Sequence, residues 1–511
     1  MRNKSVSKNI LVYLSLANLI MLKVWFSLLP FNIGKSFWLR HSQFNSYEAA
    51  IICTVLIAAT LWGASFIAGH WQKIMPGVWS AIYGMTFCFI LNGIRVQYGW
   101  TKDTIYNALG AWGFLLSGIA ILLVIASIVF VMIRYWCIID RHHYRVPLML
   151  TPFLLVTFGQ SAFALWKAES EILFISPAYH HLRFTENTHS MSVIWIIFDE
   201  LDYRIAFGHR PKELLLPEFD KLQKSSIVAI NAFSPASDTS ISIPALLIGI
   251  PLKNTRPMSS TSMIITENNG KNSSFQTTST IFADMHHHGS RTALFGWFFP
   301  YSRLFDAIDV IKDYSNDSMT SDSLLQSIVL LLRSLVESCN YSLFGNSIPI
   351  KNHIMITTSM HKDVVQYLQT NLYGFCFLHY SVPHNPNIYN RRTHTYGTNR
   401  DIKAGYLDNV ALADQILGEI RTTMQKTGSW DKTLVIVSSD HHWRVNTYDG
   451  IIDQKHVPFL VKMPDQRKSI LISDRFETVN TKQMILNIVD GKIKTPEALK
   501  QWMQGLKSTS Y

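Results

Sequence analysis

The chain has 511 residues, 48% of them hydrophobic and only 16% charged, with a formal net charge of +11. That length suits two or three domains. The basic excess is scattered, with no compact Lys/Arg run and no interleaved basic-aromatic pattern, which sets nucleic acid aside as a partner and points to anionic lipid headgroups instead.

The apolar excess lies in the first third. Stretches near the length of a bilayer span run over Ile10–Phe31, Ala49–Ala68, Gly77–Ile94, Trp112–Met132 and Pro147–Trp166, which predicts five transmembrane helices in a membrane domain at 1–168. The first stretch follows Arg2, Lys4 and Lys8, but it exceeds a signal-peptide core and lacks an Ala-x-Ala-like cleavage site nearby, so it reads as a retained anchor. With the N-terminus cytoplasmic, the inside segments carry Arg2, Lys4, Lys8, Lys73, Arg134, Arg141 and Arg145, against Lys35, Arg40, Arg95 and Lys102 outside. An odd number of spans then places everything beyond Trp166 on the far side of the membrane. Lys23, inside the first span, reads as a side chain that faces the bundle interior or snorkels.

Residues 169–190 lose the long apolar runs and read as a linker. From 191 to 511 the grammar changes. Short β-rich runs, SVIWIIF (Ser192–Phe198), RTALFGW (Arg291–Trp297), FCFLHY (Phe375–Tyr380) and TLVIVSS (Thr433–Ser439), alternate with helical stretches such as Asp401–Thr427. This predicts an α/β domain with a largely parallel sheet. The Ser/Thr/Asn-rich stretch Asn254–Ser279 shows little periodicity and reads as a surface loop or insertion. Cys53, Cys88 and Cys137 fall in or beside spans; Cys339 and Cys376 leave room for one disulfide and exclude a zinc ribbon.

Open α/β sheets carry their chemistry at the carboxyl ends of strands. There lie Asp199 and Glu200 after IWIIF, Ser381 to His384 after FCFLHY, and Asp440, His441 and His442 after TLVIVSS. Carboxylates combined with an imidazole suit a divalent cation, zinc or manganese first, with calcium or magnesium as alternatives. One acid at a strand end is usually a cap or turn residue. Two such ends beside the hydroxyl-rich loop ASDTSISIPALLIG (Ala236–Gly249) favour a site.

In this order the motifs resemble the sulfatase-like branch of the alkaline phosphatase superfamily: Phe198-Asp199-Glu200, a loop ending in Leu-Leu-x-Gly at Leu246–Gly249, Val-Pro-His-x-Pro at Val382–Pro386, and Ser-Asp-His at Ser439–His441. The resemblance covers about Ser192–Pro464. In arylsulfatases of this kind a Cys or Ser ten positions before that Gly becomes formylglycine, followed by Pro and Arg. Here the position is Thr239, with Ile241 and Ile243 in place of Pro and Arg. Thr cannot become formylglycine. A Thr nucleophile is similar to that of lipoteichoic acid synthases and phosphoethanolamine transferases, which also place five spans before an extracytoplasmic catalytic domain.

The resemblance implies Thr239 as nucleophile, with Ser240 the fallback if the loop register slips by one, and Asp199, Asp440 and His441 as metal ligands. Glu200 matches a second ligand in sulfatases, whereas in the transferase relatives a single acid serves. His384 and His456 match positions facing substrate or a second cation, and Arg303, ending WFFPYSR, is a natural fork for anion oxygens. His379, alternating with apolar neighbours, reads as packed beneath the sheet end; His442 as pointing elsewhere; His286–His288 before Gly289 as the end of a helix. The implied function is a bacterial inner-membrane enzyme with its catalytic domain on the periplasmic or extracellular side, moving a phosphate-linked headgroup from a lipid donor to a glycan or glycolipid, or to water. The alternatives are a sulfate ester hydrolase and a non-catalytic membrane scaffold.

Overall fold

The computed structural model describes residues 2–28, 37, 43–71, 73–97, 102–139, 144–172, 191–259, 261–305, 308–314, 323–343, 347–370, 374–397, 401–444 and 455–506. It divides into two compact units, one of residues 1–179 with 317–346 and the other of 180–316 with 347–511. The division differs from the expected one at one place, since the helix Leu324–Leu343, read above as part of the catalytic domain, groups with the N-terminal helices. Of the linker expected at 169–190, residues 169–172 end a helix and 173–190 lie outside the described residues.

The first unit is helical. By length and apolarity three helices can cross a membrane, Asn45–Ala68, Met75–Arg95 and Leu115–Arg134, and a fourth can if Ile10–Ile20 and Leu22–Leu28, bent by 65° at their junction, count as one broken span. Among the described residues, three to four of the expected five spans are thus long and apolar enough. The segment predicted at Pro147–Trp166 does form a helix, Thr151–Ile172, but Thr157, Gln160, Ser161 and Lys167 dilute its apolarity. Three to four such helices make this a membrane protein. At the break in the first span, Gly93 lets the helix Met75–Gln97 approach closely, because a Cβ there would lie 3.2 Å from the Lys23 backbone nitrogen and 3.3 Å from Leu22.

In the second unit eight strands form the main sheet, numbered in chain order: β1 Val193–Phe198, β2 Ile227–Ala229, β3 Thr292–Trp297, β4 Val310–Tyr314, β5 Phe375–Tyr380, β6 Leu434–Ser438, β7 Phe459–Lys462 and β8 Ile470–Ile472. Their order is β8-β2-β7-β6-β1-β5-β3-β4, and only β7 runs antiparallel to its neighbours. Every side chain of β1 is buried, as expected for a central parallel strand covered on both faces, and that explains its unbroken apolar run. One face packs Ile194, Ile196 and Phe198 under the helices Pro217–Gln223, Ser347–Gln369 and Ile402–Lys426. On the other, Phe282 of the helix Ile281–His287 meets Phe375 and Phe377 edge-on.

Asn254–Ser279, read as a surface loop or insertion, contains most of a small three-stranded antiparallel sheet, Leu252–Pro257, Met263–Glu267 and Asn272–Ser274. Met263, Ile265 and Phe275 bury its inner face, and Gly270, at φ 86°, makes its hairpin turn. Cys376 is a free, buried thiol, so it forms no disulfide with Cys339.

Asp414 shows how the helices lock together. Its Oδ1 accepts the N–H groups of Glu218 at 3.0 Å and Phe219 at 2.7 Å, satisfying donors at the start of the helix Pro217–Gln223 that have no partner within it. Burial nevertheless pushes its carboxyl up to about 6. A folded-state value above the unfolded one stabilises the fold below the unfolded value, and that contribution is lost as pH rises through about 6. Asp414→Asn keeps the acceptor oxygen and removes the titration. Its thermal midpoint should gain on wild type between pH 4 and 7, by the equivalent of about 2–3 kcal/mol; parallel melting curves across that range would contradict the assignment.

Candidate active site

Three adjacent parallel strands end in register, with Phe198 opposite Tyr380 and Ile197 opposite Ser438, so the residues that follow them emerge side by side. Beyond β1 the chain turns at Glu200, whose φ of 64° is unusual for a residue with a side chain. That turn aims the Glu200 N–H at Asp440 Oδ1, 3.2 Å away. Its carbonyl accepts the Tyr406 hydroxyl at 2.6 Å. Ser439 ties the two strand ends, its Oγ accepting the Leu201 N–H at 2.9 Å and lying 2.7 Å from the Phe198 carbonyl.

The hydroxyl-rich loop runs into the helix Thr239–Ile248, with Thr239 its first residue. Pro244 inside the helix has no N–H for the Ser240 carbonyl, and Thr255 Oγ1 takes that acceptor at 2.8 Å. The Leu-Leu-x-Gly ending is structural: Leu246 and Leu247 are buried, and Gly249 adopts φ 73° to end the helix. Ser242 also serves the loop, since its Oγ exchanges hydrogen bonds with the backbone of Ala236. The Thr239 hydroxyl instead lies 3.1 Å from His441 Nε2 and 3.4 Å from Asp199 Oδ2.

Around that hydroxyl, ligand atoms of Asp199, His379 and Asp440 lie within 4.8 Å of one another, all fully buried. Asp199 Oδ1, Asp440 Oδ2 and His379 Nε2 have no hydrogen-bond partner. His441 Nε2 lies 3.6 Å from Asp199 and 3.4 Å from Asp440. Two buried carboxylates with bare oxygens facing an imidazole nitrogen are costly unless a cation joins them. The donor set therefore fits a divalent ion. Burial would raise the Asp199 carboxyl, but His384, His379 and His441 outweigh it and hold it below the usual carboxylate range. Burial likewise pulls the His441 imidazole down, and Asp440, Asp199 and Glu200 reverse this.

Both imidazoles have their far nitrogen engaged. His441 Nδ1 faces the His442 carbonyl at 2.8 Å. A carbonyl can only accept, so Nδ1 holds a proton and the neutral ring turns its Nε2 lone pair to Thr239 and the carboxylates. His379 Nδ1 meets the Tyr301 hydroxyl at 2.7 Å. Such outer hydrogen bonds fix the orientation of a ligating ring. Tyr301 reaches it because Gly296, paired with His379 across the sheet, leaves room where a Cβ would overlap the Tyr301 ring. Tyr301→Phe should weaken divalent-ion affinity about tenfold or more with the fold intact; unchanged affinity by calorimetric titration would remove Tyr301 from this role.

Glu200 is turned away from the cluster toward Arg444, its Oε1 accepting from Nε at 2.9 Å. The same guanidinium reaches Asp238 Oδ1 at 3.1 Å and His384 Nε2 at 3.4 Å. His384 is thus at the rim, its ring 5.2 Å from that of Trp297, while its backbone N–H donates to the Asp199 backbone carbonyl at 3.0 Å. His456 is stacked between Tyr203 and Phe233, with Nε2 2.9 Å from the Ile230 carbonyl. Arg303 is half-buried on the four-residue helix that carries Tyr301.

The Sulfatase family model matches residues 192–490, more than half of the chain. The chain belongs to the sulfatase family. No curated protein matches its sequence. Among solved structures, this sulfatase-family chain is similar to a phosphonate monoester hydrolase of Agrobacterium radiobacter (13% identity, 59% of this chain and 74% of that one, TM-score 0.41). It is also similar to a sulfatase from Pseudoalteromonas sp. (15% identity, 59% and 68%, TM-score 0.41). A third is an alkaline phosphatase superfamily protein from Vibrio parahaemolyticus (16% identity, 63% and 72%, TM-score 0.41). Nothing about activity follows from similarities this low. The family match makes the chain a sulfatase-like enzyme, of a fold that usually binds a divalent metal, and Asp199, His379 and Asp440 form a buried cluster that could hold one.

The structure adds three residues to the sulfatase-family motifs. His379 joins the cluster from the last turn of pleat in β5, where alternation with Phe377 and Phe375 disguises it as core. Tyr301 supports it, and the available signal was Gly296 in an otherwise bulky strand. Arg444 closes the motif TLVIVSSDHHWR, but nothing in that motif shows where a long side chain will reach.

Proposed function

We propose that this enzyme uses Thr239 to take a phosphate-linked headgroup from a membrane lipid and pass it to a hydroxyl of an envelope glycan or glycolipid, or to water, on the extracytoplasmic face of a bacterial inner membrane. The observation that carries the reading is the Thr239 hydroxyl, held 3.1 Å from His441 Nε2 beside two buried carboxylates. Asp199, Asp440, His379 and His441 would hold the divalent ion, zinc or manganese, which would favour the Thr239 alkoxide and offset charge on the phosphoryl oxygens. His441 Nε2 has one lone pair, which either helps to hold the ion or accepts the hydroxyl proton.

In the first step a bond forms from Thr239 Oγ1 to phosphorus, and the bond from phosphorus to the lipid alcohol breaks, that alcohol leaving protonated. In the second, the acceptor oxygen attacks phosphorus, and Thr239 departs and regains its proton. Arg444 and His384, 3.4 Å apart at the rim, would meet the phosphoryl oxygens and the exchanging oxygens respectively. Sulfate ester hydrolysis suits the family match as well, but Thr239 cannot supply a formylglycine. Mass spectrometry of the Thr239 peptide after incubation with phospholipid, run beside a parallel incubation with an aryl sulfate ester, decides between them: a phospho-threonine adduct carrying the headgroup is expected from the first, while sulfate release in the second without an adduct in the first would overturn the reading.

A further inference from the structure

The helix Leu324–Leu343 lies within the span of sequence matched by the sulfatase family, yet it groups with the membrane helices. The helix Leu324–Leu343 buries Leu331 and Leu335 against Met21, Val24, Trp25 and Leu28 of the broken first span and Ala49, Ala50 and Cys53 of the span Asn45–Ala68. Lys23 Nζ donates to Ser334 Oγ at 2.8 Å and to its carbonyl at 3.2 Å. An intramembrane ammonium is costly without acceptors. This helix supplies two.

The contacts fix its depth. Cys53 Sγ lies 3.7 Å from the Ile328 carbonyl, and at ~1.5 Å per residue Cys53 is about 12 Å into its span, well within a hydrocarbon layer of about 30 Å. The apolar part, Leu324–Val336, reaches only about 20 Å and cannot cross. On its outer side Leu325 is 71% exposed, Val329 55% and Val336 68%. Val55 and Leu56, two and three residues beyond Cys53 on the span it packs against, are exposed as well. The only charged residue among the described side chains of this helix, Arg333, lies five residues from Ile328 toward the shallow end, about 8 Å nearer the headgroups, where a snorkelling guanidinium reaches them.

We infer that Leu324–Leu343 is a membrane helix that enters one leaflet without crossing, inserted with its Leu324 end deeper, and that its outer face of Leu325, Val329 and Val336 is covered by lipid acyl chains of that leaflet. The sulfatase-family part of the chain thus enters the bilayer itself. Water would leave three large aliphatic side chains uncovered on a helix already seated among spans, and lipid covers them with the same chains that cover Val55 and Leu56. The inference is independent of the chemistry at Thr239.

The test uses the full-length protein in liposomes containing a phospholipid with an acyl-chain diazirine, photolysed and digested for mass spectrometry. Adducts are expected on the peptides holding Leu325, Val329 and Val336 at the level found for Leu122 and Leu123, exposed residues of the span Leu115–Arg134. None is expected on Leu215, equally apolar and 77% exposed in the other unit. Val329→Asp should remove the adducts from this helix and leave those of the span. Labelling of the span without labelling of Leu325 and Val329, or their crosslinking to a second chain instead of lipid, overturns the inference. Because no turnover is measured, a failure here and a failure of the Thr239 mechanism are read separately.

Discussion

Thr239→Ala protein is expected to fold and bind its cation while turning over substrate about 10³-fold or more slower than wild type, the scale on which removal of an activated nucleophile acts. The side chain caps nothing: the helix Thr239–Ile248 begins with Asp238, and the loop is closed by Ser242. Loss of the hydroxyl should leave the backbone in place and abolish the covalent adduct. Thr239→Ser keeps an oxygen at the same Cβ and should retain adduct formation at a reduced rate, because serine has more χ1 freedom than a β-branched residue. Ser240→Ala separates the two adjacent hydroxyls. Ser240 stands one residue further along the helix and its carbonyl, not its hydroxyl, has an assigned partner, Thr255. Full turnover in Thr239→Ala with loss in Ser240→Ala would move the nucleophile by one residue and refute the register deduced from Gly249.

Why some of this was readable from sequence is a matter of burial. Central parallel strands are covered on both faces, so β1, β5 and β6 appear as continuous apolar runs, and an acid directly after such a run stands out. Asp199, Asp440 and His441 were legible for that reason, and the fixed distance from Thr239 to the helix-ending Gly249 made the loop legible too. His379 was hidden because a site residue inside a strand shares the alternation of the core, even where its ring joins the Asp199 and Asp440 cluster. The direction of Glu200 depends on Arg444, more than 200 residues away in sequence, and no local pattern encodes that pairing. The sheet within Asn254–Ser279 was masked by polar composition, since only Met263, Ile265 and Phe275 are buried there. The Leu324–Leu343 helix was missed because an apolar segment shorter than a span looks the same in a soluble core as in a leaflet; its partner Lys23 was noticed, and its acceptor was not.

Chelation should destabilise the catalytic unit while leaving variants of the cluster unaffected. An ion present at about a hundred times its dissociation constant adds about 2.7 kcal/mol to the folded state, which for a unit of this size corresponds to several degrees in thermal midpoint. Removing the ion leaves Asp199 and Asp440 with uncompensated buried charge, so wild type should lose at least that much. The double variant Asp199→Asn/Asp440→Asn has neither the ion nor the repulsion. It should melt above chelated wild type and ignore both chelator and added zinc or manganese. Glu200→Gln discriminates between the two roles of the acids: its carboxylate is turned to Arg444 at 2.9 Å, so ion affinity should stay within about twofold of wild type, while the Arg444 fork is loosened and the Michaelis constant rises. A tenfold loss of ion affinity in Glu200→Gln would instead make Glu200 a ligand, and the cluster would have to be redrawn around it.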